Sequence, residues 1–127
     1  MGLFGWSRRR DARASAEWDQ FVASADRQGW QLLEVLHVYQ VARRGTKAVV
    51  QPYRGSWQRD AWFWWARVAP GSVVAVASSI GYGPHTHRDN VIYVGTREGG
   101  SGIRAALAGK TLKYAKRHRK RTIQAHA

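Results

Sequence analysis

The chain contains no cysteine. That absence excludes disulfides, thiol nucleophiles and every zinc site that needs thiolate ligands. The uninterrupted apolar runs are far shorter than the roughly 18–20 residues of a membrane-spanning helix, and no apolar segment of signal-peptide length follows a basic start. The sequence therefore predicts a soluble intracellular protein, located in the cytoplasm or, if it is phage-encoded, in the virion.

Acidic residues are also scarce, because 8 Asp and Glu stand against 21 Lys and Arg, a formal net charge of +13. The imbalance lies at the two ends: residues 1–14 have a net charge of +3 and residues 104–127 of +8, which leaves +2 for residues 15–103. Such ends repel each other unless a polyanion or an anionic surface neutralises them. We therefore expect nucleic acid as the partner. An acidic protein or a second copy of the chain is a weaker expectation, and a membrane surface is the weakest.

Motifs of catalysis and of sequence-specific DNA or RNA reading are missing as well. The chain has no Gly-x-Ser-x-Gly segment, and Gly109-Lys110-Thr111 does not complete a phosphate-binding loop, because Arg104 stands where that motif has its first glycine. Its carboxylates do not form a spaced acid pair. No helix-turn-helix, zinc-finger or RNP pattern is present. We expect neither an enzyme nor a cofactor, and nucleic-acid binding that is largely independent of sequence.

One histidine-rich segment suggests a metal. Gly83-Pro84-His85-Thr86-His87 resembles the Gly-Pro-His-x-His segment of lysostaphin-type zinc endopeptidases, in which such histidines supply a zinc ligand and a catalytic partner. The resemblance implies that His85 and His87 are the candidate zinc residues of a zinc-dependent hydrolase. That family also needs an upstream His and Asp pair, and only His37 precedes, with no Asp near it. A polar hairpin loop is therefore the prediction for this segment.

The residue pattern predicts one folded α+β domain. Trp18, Phe21, Val22 and Ala25 follow helical spacing, so that residues 16–28 form a helix with Ser15 as its cap and a stop at Gly29. Five segments that are rich in β-branched and aromatic residues follow through short connections, which favours an antiparallel sheet, closed into a small barrel or left as a half-barrel. These strand segments are residues 30–41, 47–53, 61–68, 73–77 and 91–94.

The last part of the chain is expected to be an extension. Residues 96–102 (TREGGSG) have a flexible composition, and Ser101 and Thr111 could each cap a helix, first IRAALAG and then LKYAKRHRKRTI. We divide the chain into a basic arm at 1–14, a globular body at 15–98, and a Gly-rich linker with a basic helical tail at 99–127.

The stretch from Trp57 to Val68 contains four of the seven tryptophans. As a strand it would turn Ala61, Phe63, Trp65 and Arg67 to one face and Trp62, Trp64, Ala66 and Val68 to the opposite face. Packing in the core is the favoured interpretation of this cluster, and stacking on bases is the alternative. Tyr53 and Trp57, near the loop, are better candidates for exposed contacts.

The predicted function is a small nucleic-acid-binding protein whose basic ends contact the phosphate backbone, with aromatic stacking as an addition. The alternative is a structural or assembly protein, such as a small phage virion component whose ends contact neighbours or a packaged genome. The predicted nucleic-acid-binding residues are Arg8, Arg9, Arg10, Arg54, Trp57, Arg59, Lys110, Lys113, Lys116, Arg117, Arg119, Lys120 and Arg121. Five of them, Lys113, Lys116, Arg117, Lys120 and Arg121, follow helical spacing as one stripe.

Overall fold

Two helices flank a six-stranded mixed sheet that curls into a half-barrel. The computed structural model describes residues 2–77 and 91–125, with side chains for residues 5–77 and 91–124. The elements in chain order are α1 (Gly2–Gln28), β1 (Gln31–Ala42), β2 (Gly45–Pro52), β3 (Arg59–Trp64), β4 (Val73–Val76), β5 (Val91–Val94), β6 (Ile103–Leu107) and α2 (Gly109–Ala125). The predicted α+β class is confirmed.

Helix α1 is twice as long as the sequence pattern predicts. The expected helix at 16–28 instead begins at Gly2, so that the helix runs through residues 2–14, which were expected to form an arm, and through the expected cap Ser15. Its buried positions Asp11, Ala14, Trp18 and Ala25 continue one stripe toward the N-terminus, and the arginines and alanines between them are good helix formers. Asp11 interrupts the apolar pattern, so the pattern does not predict this extension of the helix.

The C-terminal end of α1 stops where the sequence predicts. Gly29 has a φ of 71°, and the amide of Trp30 donates to the carbonyl of Ala25 over 2.9 Å. A left-handed glycine with this bond is the Schellman arrangement. It turns the chain directly into β1.

The sheet order is β5-β3-β2-β1-β4-β6, and every neighbouring pair is antiparallel except β3 with β5. The two-residue turn Arg43-Arg44 joins β1 to β2, with Ala42 opposite Gly45. Two register shifts bend β1, between Val35 and His37 and between Val38 and Gln40. Bulges of this kind increase twist, which helps the sheet to curl.

The prediction of a short helix for the segment IRAALAG is wrong. This segment contains β6, which pairs with β4. Its Ala and Leu residues favour a helix locally. Pairing with β4 satisfies its backbone, and its half-buried Ala105 and Leu107 pack in the cluster beneath the helices. Tertiary contacts therefore override the local preference.

The two hydrophobic clusters lie on opposite faces of the sheet. The inner cluster is built around Leu33, Val50, Phe63 and Val76, and residues of both β4 and β5 belong to it. The outer cluster joins Trp18 and Leu112 of the helices to residues of β1, β4 and β6. No helix of the described residues is long and apolar enough to cross a membrane.

The aromatic stretch divides between core and surface. Ala61 and Phe63 are fully buried, as one face of the predicted strand. Trp65 has a φ of 56° and ends the alternation, because β3 stops at Trp64 rather than at Val68. Of the seven tryptophans only Trp18 is buried. The expectation that the tryptophans of this stretch form the core is therefore wrong, and Phe63 takes that role.

The connection between β5 and β6 brings the two edge strands together at one end. Thr96 and Gly100 exchange two backbone hydrogen bonds of 3.1 Å. Gly95 has a φ of 82°, and a Cβ there would lie 2.7 Å from the amide nitrogen of Gly102. Only glycine allows this approach. The stretch expected as a flexible linker is thus a tight turn.

Candidate nucleic-acid interface

The two basic ends of the chain lie side by side, because α1 and α2 pack antiparallel. Ser15 and Trp18 of α1 face Leu112 and Ala115 of α2. Farther along the pair, residues 8–12 of α1 face residues 118–124 of α2. Helix α2 has seven Lys and Arg residues and no acid. The fold therefore gathers most of the positive charge into one helical layer.

A buried carboxylate joins the two helices. The side chain of Asp11 is fully buried, and Arg10 Nη2 lies 3.1 Å from its Oδ1. Arg121 Nη1, from α2, lies 2.8 Å from Asp11 Oδ2, although these two atoms do not have the geometry of a hydrogen bond. A buried carboxylate is costly unless charged partners compensate it. Asp11 thus fixes one arginine from each helix.

Cations from both helices lie over the ring of Tyr114. The guanidinium carbon of Arg10 lies 3.7 Å from the ring centroid, and that of Arg117 lies 5.9 Å from it. Arg10 also lies 5.3 Å from the ring of Trp6, which is exposed. Cation–π contacts of this kind are favourable at surfaces. They place Arg10 in a structural role between α1 and α2.

An open groove of about 600 Å³ lies between the N-terminal part of α1 and the C-terminal part of α2. Its lining residues are Arg8, Arg9, Ala12, His118, Arg121, Thr122 and Gln124. Arg8 and Arg9 are exposed and have no ion pair with any described residue. The groove therefore presents two uncompensated guanidinium groups together with hydroxyl and amide groups.

The predicted stripe of α2 is exposed at four of its five positions. Lys113, Lys116, Arg117 and Lys120 are exposed, whereas Arg121 turns toward Asp11 and is half-buried. Lys116 Nζ lies 3.7 Å from Glu34 Oε1 of β1. Two further predicted residues, Lys110 and Arg119, are also exposed. Helix α2 thus presents a cationic surface along its length.

Three predicted residues lie elsewhere, near the connection of β2 to β3. Arg54 forms two hydrogen bonds with Asp26, of 2.9 and 3.0 Å. These bonds lower the pKa of Asp26 and raise the pKa of Arg54 from their ordinary values. Arg59 lies 4.7 Å above the ring of Trp57, which is 40% exposed. Arg54 is therefore already paired with an acid.

The predicted site residues are spread along the length of the helical layer. Asp26, which holds Arg54, is near the C-terminal end of α1, and Arg9 is 17 residues before it in the same helix. With a rise of about 1.5 Å per residue, the two positions are about 25 Å apart. The connection that carries Arg54 and Trp57 begins beside the helices, because Tyr53 lines a small pocket together with Trp18, Lys116 and Arg119.

The metal candidates His85 and His87 lie outside the described residues. Within residues 2–77 and 91–125, no group of three or more His, Cys, Asp or Glu side chains could hold a metal ion.

Sequence reasoning missed Asp11 and Tyr114 as residues that connect the basic ends. A signal was present: positions 11, 14, 18, 21 and 25 alternate steps of three and four, the spacing of one side of a packed helix. Allowing a charged residue at one such position would have extended the helix and placed Asp11 in its contact face.

No known protein-family model matches the chain, and neither the curated proteins nor the solved structures include a match to it.

Proposed function

We propose that the protein binds nucleic acid through the phosphate backbone, with little dependence on sequence, and that the outer surfaces of α1 and α2 form the binding site. The observation that supports this most is the antiparallel packing of the two helices. Because of it, cations from both basic ends can meet one polyanion.

Ion pairs within the protein reduce the number of cations that can contact phosphates. Arg10 and Arg121 are used by Asp11, and Arg54 is used by Asp26. Among the predicted binding residues of α1 and α2, the exposed cations without an ion pair to a described residue are Arg8, Arg9, Lys110, Lys113, Arg117, Arg119 and Lys120. If about six cations meet phosphates of duplex DNA, the logarithm of affinity falls with the logarithm of salt at a slope of about −5.

The test compares two triple variants with equal net charge. Lys113→Gln, Arg117→Gln and Lys120→Gln together remove three exposed cations from α2. The matched control is Arg67→Gln, Arg97→Gln and Arg104→Gln, which removes three exposed cations outside both helices. Cutting the chain to residues 15–98 is unsuitable, because it deletes β6, α2 and half of α1.

Affinity for a short duplex is measured by fluorescence anisotropy over a range of salt concentrations. The α2 variant should reduce the steepness of the slope by about 0.9 for each lost contact, so by about 2.7. The control should change it by less than about 1. Equal slopes for the two variants would contradict the proposal. A defined oligomer of the wild type without nucleic acid, together with no binding, would favour an assembly role instead.

A further inference from the structure

The helices cover only part of the outer face of the sheet. The cluster that packs beneath them contains residues of β1, β4 and β6, and none of β2, β3 or β5. On these three strands the inner face is filled by the inner cluster, in which Ala48, Phe63 and Ile92 are buried. Within the described residues, the outer face of β2, β3 and β5 therefore has no helix over it.

Large rings and cations line this part of the outer face. In the strand register Lys47 of β2 lies opposite Trp62 of β3, and Trp62 lies beside Tyr93 of β5. Trp64 is two residues farther along β3, so it shares the face with Trp62. Lys47 also lies 5.6 Å from the ring of Tyr39 in β1. We call this surface the aromatic sheet face: His37, Tyr39, Lys47, Trp62, Trp64 and Tyr93.

The rings of this face are only partly removed from solvent. Tyr39 is 42% exposed, and Trp62, Trp64 and Tyr93 are half-buried. The ring of Trp62 meets that of Trp64 edge-on, with centroids 5.6 Å apart. The Nε1 group of Trp62 is buried and has no hydrogen-bond partner among the described residues, so the ring offers its surface rather than its donor. A surface of partly exposed aromatic rings is suited to a ligand that has flat rings.

The charge around the face favours an anionic ligand. Arg43 and Arg44 are exposed in the turn between β1 and β2, which lies beside the end of β3 at Trp64, and Lys47 lies within the face. Two acids, Glu34 and Asp60, also lie on the outer side of the sheet. Glu34 is paired with Lys116 of α2. That ion pair also shows that the cationic stripe of α2 borders the outer side of the sheet. Cations therefore lie at two borders of the aromatic sheet face.

We propose that the aromatic sheet face binds single-stranded nucleic acid by stacking its bases on Tyr39, Trp62, Trp64 and Tyr93. Neighbouring strands are about 4.8 Å apart, so rings on successive strands can meet successive unpaired bases. The exposed cations of α2 and Arg43 and Arg44 would hold the phosphates. Duplex bases are already stacked on one another and cannot use this face. The inference rests on the proposed function only for the phosphate contacts of α2.

The test measures binding of oligothymidylate and oligouridylate, each of about 16 nucleotides, and of a duplex, by fluorescence anisotropy. Tyr39→Ala and Trp64→Leu should each weaken binding of the single strands by about 5- to 150-fold, the range of one lost stack. Tyr39→Phe retains the ring and should bind like the wild type. All three should bind the duplex as the wild type does. Tighter binding of one oligonucleotide identifies DNA or RNA as the preferred strand.

Ultraviolet crosslinking of the wild type to the same oligonucleotides gives a second readout that does not depend on variants that fold. Crosslinks in peptides from β1 and β3 would support the proposal, and crosslinks confined to α1 and α2 would overturn it. Unchanged single-strand affinity in both folded ring-removal variants would overturn it too. The triple variant of α2 should weaken duplex and single strands alike, so its failure would count against the proposed function and not against stacking.

Discussion

Replacing Asp11 with alanine removes the carboxylate that both Arg10 and Arg121 contact. The variant leaves two like charges close to each other between α1 and α2, without the anion that compensates them. The Asp11 side chain is fully buried, and the two arginine side chains are 26% and 40% exposed. The decrease in the free energy of unfolding should therefore lie between the values typical of buried and of surface ion pairs. Breaking a buried pair costs about 3–5 kcal/mol and a surface pair about 0–1 kcal/mol. We therefore expect Asp11→Ala to lower the free energy of unfolding by about 2–3 kcal/mol.

Chemical and thermal unfolding, followed by circular dichroism, measure this loss. For a chain of this length, about 2–3 kcal/mol corresponds to a fall in Tm of about 6–15 °C. The matched control is Asp19→Ala, an exposed carboxylate of the same helix, because both changes alter net charge and helix propensity equally. It should change the free energy of unfolding by no more than about 0.5 kcal/mol.

A double-mutant cycle with Arg121→Ala then isolates the contact between the helices. The coupling free energy between Asp11 and Arg121 should be about 1–2 kcal/mol. Equal stability of Asp11→Ala and Asp19→Ala, or a coupling near zero, would refute the reasoning that the buried carboxylate holds α2 against α1.

Three other expectations concern the sheet, its closing turn and one surface ion pair. Phe63→Ala empties a fully buried ring position and should lower the free energy of unfolding by about 3–5 kcal/mol, as measured in urea. Gly95→Ala should lower Tm because its Cβ would collide with backbone, whereas Gly5→Ala, with open space around it, should raise stability by about 0.5–1 kcal/mol. The pKa of Asp26, lowered by its hydrogen bond from Arg54, should return toward its ordinary value in Arg54→Ala when followed by NMR. The stability from this pair is present above the ordinary pKa of Asp26 and is lost as the pH falls through the lowered one.

Much of the fold can be predicted from residue patterns that are local. The stripe from Trp18 to Ala25, the stop at Gly29 and the five β-branched segments all correspond to observed elements. The turn at Arg43-Arg44 also follows from its neighbours. These features depend on periodicity and on backbone preferences within a few residues, which a single sequence contains.

The remaining features depend on contacts between distant residues. Strand β6 has helix-favouring residues and becomes a strand because β4 offers it a partner. The parallel pairing of β3 with β5 joins segments that are not consecutive in the chain. The buried Asp11 of α1 meets its second arginine, Arg121, 110 residues later in the chain. None of these partners is visible within a local window of the sequence.

In the candidate site too, some features follow from the local sequence and others depend on contacts between distant residues. The positive charge at both ends and the stripe on α2 were predictable from composition and spacing. Which cations are already paired, as Arg10, Arg54 and Arg121 are, depends on the fold. The aromatic sheet face could not be predicted from the sequence, because strand register brings Lys47, Trp62 and Tyr93 together. A register shift in β1 and the contacts of Tyr39 with Lys47 and His37 add the ring of Tyr39.

The central claim is that α1 and α2 together form one phosphate-binding surface. A titration of the isotope-labelled protein with a short duplex, followed by amide chemical shifts in NMR, tests it directly. The account predicts that amides of residues 8–13 in α1 and of residues 113–121 in α2 shift together, with one dissociation constant that rises with salt. Shifts confined to one helix, or different dissociation constants for the two helices, would contradict it.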